Sequence, residues 1–81
     1  MRVGVIFQPF DLKQTIIVTD HNAIVERVEI EYDRIPETVK ELASKYSTSE
    51  VTLYGNSDYL QKMQCHLLNQ YSNLDVTIQS K

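Results

Sequence analysis

The sequence predicts one α/β domain over residues 1–81, with a five-stranded mixed sheet and two helices packed on one face. Three observations predict it. The first third is made of short runs rich in β-branched residues, two later segments carry apolar residues at helical spacing, and each of those segments is followed by another short apolar run. The expected element order is β-β-β-α-β-α-β.

The first strand is expected over Arg2 to Phe7, ended by Gln8-Pro9, and the second over Gln14 to Asp20 around Ile16, Ile17 and Val18. Pro9 to Lys13 forms the loop between them. Asp20-His21-Asn22 is the next turn, because Asp and Asn bond their own backbone and tolerate left-handed dihedrals. The third strand, Ile24 to Tyr32, alternates: Ile24, Val28, Ile30 and Tyr32 on one side, Arg27, Glu29 and Glu31 on the other. Glu26 falls on the apolar side and is expected near the sheet rim.

Pro36 suits the start of a helix through its fixed φ and missing N–H. Ile35, Val39, Leu42, Ala43 and Tyr46 then form one stripe, with Glu37 near the positive end of the helix and Lys45 near the negative end. A fourth strand follows over Glu50 to Tyr54. The second helix, from about Ser57 to Tyr71, is expected to turn Leu60, Met63, Leu67, Leu68 and Tyr71 inward. Leu74, Val76 and Ile78 mark one side of the last strand.

Short connections make the first three strands an antiparallel meander, while each helical crossover places the next strand parallel to a neighbour. Right-handed crossovers stepping the same way leave both helices on one face and the strand order 3-2-1-4-5. By element order the chain resembles the ribonuclease-H-like fold. That resemblance implies, for the nucleases of the superfamily, acidic metal ligands in the middle of strand one, on the first helix and at the end of strand four. Here Arg2 to Phe7 contains no carboxylate, strand four ends in Tyr54-Gly55, and Glu37 and Glu41 have no acidic companions. The phosphate-binding glycine turn of the superfamily's ATPases is missing from Gln8 to Thr15 as well. No metal site, no cofactor and no enzymatic activity are therefore expected.

Hydrophobic residues make up 42% and charged residues 23%, which places the chain among globular rather than disordered sequences. A chain this short buries only about 60 to 65% of its unfolded surface, so association would stabilise it. The net charge of -3 and scattered basic residues argue against nucleic-acid binding, which draws on counterion release by clustered Lys and Arg. No apolar run is long enough to span a bilayer. A lone cysteine, Cys65, and the absence of a secretory pattern after Met1 point to the cytoplasm.

Two surfaces are candidates for binding. Gly55-Asn56-Ser57, where strand four enters the second helix, offers free backbone N–H groups to an anion or nucleotide. The same residues, with Asp58 and Gln61, also make an ordinary helix cap, and Asp58 adds negative charge where an anion would sit. Asp20-His21 reads as turn chemistry, and Cys65-His66, about 100° apart on a helix, cannot chelate one metal. The second surface is the sheet face opposite the helices. Alternation places Arg27, Glu29, Thr52 and Tyr54 there, with some of Ile6, Ile16, Ile17 and Val18. An aliphatic and aromatic centre with a charged rim marks a protein partner surface, a second copy of the chain included. The expectation is a small non-catalytic protein-binding or regulatory module, with ligand binding at the strand-four junction as the alternative.

Overall fold

The computed structural model describes residues 1–8, 12–55, 57–71 and 73–80, with backbone alone at 57–59 and 80. The elements are β1 (Arg2–Ile6), β2 (Lys13–Asp20), β3 (Ala23–Glu31), α1 (Ile35–Lys45), β4 (Glu50–Gly55), α2 (Ser57–Gln70) and β5 (Asp75–Ser80). They form one five-stranded sheet in the order β3-β2-β1-β4-β5. β1, β2 and β3 are antiparallel, and β4 runs parallel to both β1 and β5. The expected mixed sheet and its strand order are therefore present, with α1 over β1 and β2 and α2 over β4 and β5.

Chain alternation decides which side chains the helices cover. Val3 and Val5 of β1, Ile16 and Val18 of β2, Val51 and Leu53 of β4 and Val76 of β5 all point to the helix side. They meet Ile35, Val39, Leu42 and Ala43 of α1 and Leu60, Met63 and Leu67 of α2 in one continuous core. Gln64 adds a polar tie, its Nε2 donating to the Val76 carbonyl oxygen at 3.0 Å.

Two turns place non-glycine residues in the left-handed region. His21 and Asn22, at φ 50° and 68°, connect β2 to β3 in a two-residue hairpin whose geometry needs positive φ at both positions. Ser47, at φ 54°, closes α1: its N–H donates to the Ser44 carbonyl at 3.3 Å and that of Thr48 to the Ala43 carbonyl at 2.9 Å. This paired closure satisfies carbonyls that the helix end would otherwise leave open.

Three expectations need correction. The β2–β3 register shifts between Val18 and Thr19, so Glu26 pairs with Val18 but Ile24 pairs with Thr19. The extra residue, Val25, makes a bulge that reverses the alternation, and Ile24 lies on the face away from the helices, 61% exposed. Tyr32 leaves the strand and begins a single 3-10 turn, Tyr32–Arg34, with its ring edge-on to Phe7 at 6.0 Å between centroids. Leu68 is 41% exposed, because the inward stripe of α2 is centred on Leu60, Met63 and Leu67, and one residue further is about 100° off it. Pro9 to Asp11, within the expected first loop, lie outside the described residues.

Candidate interface on the open sheet face

Strand registers assemble the uncovered face row by row. One row crosses the sheet as Arg27, Ile17, Gly4, Thr52 and Thr77. The next runs Glu29, Thr15, Ile6, Tyr54 and Gln79. Of the four aliphatics that sequence alternation left open, Ile6 and Ile17 lie on this face, while Ile16 and Val18 are fully buried under the helices.

Tyr54 is positioned by Gly4. A Cβ placed on Gly4 would lie 3.1 Å from Tyr54 Cε2 and 3.3 Å from Ile17 Cγ1, so the missing side chain is the space into which ring and aliphatic settle. A glycine inside a strand commonly marks such a close approach. Tyr54, Ile6 and Ile17 are consequently half-buried, and the bulge adds the exposed Ile24 at the same face. The sequence reading missed Gly4 and Ile24. An isolated glycine in a strand was a usable signal for the first, whereas nothing in the alternation of β3 marks the bulge.

The four candidate residues separate into two pairs. Arg27 and Glu29 stand together on the outer strand, 3.5 Å apart and well exposed. Thr52 and Tyr54 lie on β4, three strand spacings or about 14 Å away. Thr52 was expected to be exposed, but it is 3% accessible. Its short side chain lies at the floor of a hollow of about 150 Å³ rimmed by Arg2, Glu50, Asp75 and Gln79. Glu50 and Asp75 are directly paired across β4 and β5. Among the described residues neither has a cation within 4.0 Å. Like charges at paired positions repel.

At the strand-four junction, Gly55 has φ +144°, outside the range L side chains adopt readily. A Cβ there would approach Phe7 Cβ at 3.1 Å and the Phe7 carbonyl oxygen at 3.3 Å. The Phe7 N–H donates to the Tyr54 carbonyl at 2.9 Å, continuing the β1–β4 ladder. The glycine thus has a structural cause. Asn56 and the Ser57 side chain lie outside the described residues.

A polar cluster ties the β3 edge to α1. Lys45 Nζ donates to Glu26 Oε1 at 2.8 Å, and the Tyr46 hydroxyl donates to the same oxygen. Glu26 is the carboxylate that alternation put on the apolar side. These two donors hold its carboxyl below the usual carboxylate range, while the carboxylate raises both Lys45 and Tyr46. A depressed acid stabilises the fold above its unfolded pKa and loses that contribution as pH falls through the folded value. The raised groups contribute below their unfolded pKa and lose it as pH rises through the folded one. The stability difference between wild type and Glu26→Gln is therefore expected to be level through neutral pH and to shrink at both extremes. Urea titrations at a series of pH values check it, and a difference that ignores pH would remove the cluster from the account.

Elsewhere, Tyr32, Asp33, Pro36, Lys62, Met63 and His66 line a shallow cleft of about 270 Å³ between the 3-10 turn and α2. Asp20 and His21 lie 3.6 Å apart in their turn, with His21 almost wholly exposed. Among the described residues no three His, Cys, Asp or Glu side chains are grouped to hold a metal ion, and no helix is long and apolar enough to cross a membrane. Comparison with known proteins finds no family model, no curated protein and no solved structure that matches the chain.

Proposed function

We propose that this chain is a small non-catalytic protein-binding module that docks a partner protein on its open sheet face. The observation that carries the reading is the face itself: Ile6, Ile17 and Tyr54 grouped around Gly4 on the side no helix covers. Its dimensions favour a protein over a small molecule. Five strands at about 4.8 Å spacing and about 3.3 Å per residue give a flat area near 19 by 18 Å. That is small for a specific interface, so the contact is a transient one. The adjacent Glu50 and Asp75 carboxylates, which make no ion pair within 4.0 Å among the described residues although Arg2 shares their hollow, give the partner its chemistry: an apolar patch flanked by Lys or Arg.

The strand order supports a ribonuclease-H-like connectivity used as a scaffold rather than for its metal chemistry. A reducing, cytoplasmic setting suits the exposed Cys65. Ligand binding at Gly55 is the weaker reading, since the contact with Phe7 already accounts for that glycine.

Tyr54→Glu tests the proposal. A charge at the centre of a desolvated contact is expected to remove partner capture, while the fold loses only the ring packing on Gly4. Quantitative capture from extract should be compared among wild type, Tyr54→Glu, and Leu68→Glu on the opposite side. Species retained by Tyr54→Glu and lost by Leu68→Glu would overturn the assignment.

A further inference from the structure

We infer that the chain self-associates by pairing the outer edge of β3 with β3 of a second copy, antiparallel and centred on Val28. This contact is separate from the open-face reading and does not depend on it. β3 is a terminal strand of the sheet, nine residues long, and among the described residues its outer backbone edge has no neighbouring strand. Such an edge is a template for another strand.

The side chains select the partner and the register. With Val28 opposite Val28 of the second copy, Arg27 of each chain stands directly across from Glu29 of the other. Cross-strand neighbours of opposite charge attract. Shifting the register by two residues one way sets Arg27 against Arg27, and shifting it the other way sets Glu29 against Glu29. A one-residue slip instead puts the exposed charges beside Val28 and Ile30, which face the helix side. The Val28-centred register avoids the like-charge pairs and keeps Arg27 and Glu29 on one face, with the half-buried Glu26 opposite Ile30 as its one mismatched pair. It also covers Val28, which is only half-buried in the single chain because β3 lies at the rim of the core. The Val25 bulge lies at the far end of the paired stretch, leaving Glu26 to Glu31 straight.

A two-fold axis through Val28 makes the contact closed and isologous, as in most soluble dimers. The helices of both copies then lie on the same side of a ten-stranded sheet, and the two open faces become one surface.

Mass measurement by sedimentation or light scattering over a concentration series tests the inference. Wild type is expected to approach twice 9.4 kDa. Arg27→Glu alone and Glu29→Arg alone each set like charges across the two-fold, and each is expected to weaken the dimer by about tenfold or more. Mixing these two variants should restore the dimer mass, because each then meets its opposite charge on the other chain. Intrachain pairing cannot produce that rescue. Amide exchange on wild type supplies a measurement without substitution: protection at alternate residues of β3, those whose N–H points to the free edge, should rise with protein concentration. A wild type that stays at 9.4 kDa throughout, or a dimer that both variants leave intact, overturns the inference.

Discussion

Leu53→Ala is expected to lower the unfolding free energy by about 2 to 5 kcal/mol, while Leu68→Ala changes it by less than about 0.5 kcal/mol. Leu53 is fully buried in β4, between the parallel neighbours β1 and β5 and beneath the helices. Removing its side chain leaves a cavity that strands held on both sides cannot collapse to fill. A domain of this length has a total stability of roughly 4 to 12 kcal/mol, so the variant loses a large share of it. Leu68 is 41% exposed and leaves no cavity. Chemical denaturation of the two variants side by side measures the contrast. Equal losses would mean that α2 buries the wider stripe its sequence suggests.

Gly55→Ala is expected to cost about 1 to 3 kcal/mol from the backbone conformation alone. The new Cβ adds to this by meeting the Phe7 carbonyl oxygen at 3.3 Å, a backbone atom fixed by its place beside the β1–β4 ladder. Gly4→Ala forms the useful comparison, because the atoms it meets are the ring edge of Tyr54 and the side chain of Ile17, which have room to shift toward solvent. Thermal melts of both variants decide the role of Gly55. A glycine kept only for ligand approach would tolerate alanine without loss of stability, and that result would return the strand-four junction to consideration as a binding site.

Strand order was legible in the chain because it follows from local patterns and connection lengths. Two-residue alternation in β3 and β5, helical spacing from Ile35 to Tyr46, and a helix before each of the last two strands leave few topologies open. The position of Tyr54 on the open face followed in the same way, from Val51 and Leu53 being the residues the helices bury. Local pattern could not assign Ile6, Ile17, Ile16 and Val18, since β1 and β2 are apolar on both sides and period two is silent when every residue is apolar. Packing against α1 made that choice, burying Ile16 and Val18. The bulge at Val25 was equally hidden: it depends on how β3 meets β2, and it moved Ile24 to the opposite face without altering any residue type. Thr52 and Glu26 show the same limit. The sequence placed each on a face, but the long neighbours that recess Thr52 and the α1 terminus that brings Lys45 and Tyr46 to Glu26 belong to segments up to 50 residues away in the chain. Alternation and periodicity are properties of one segment, whereas accessibility and charge pairing are properties of two segments in contact, and only the packed sheet brings those together.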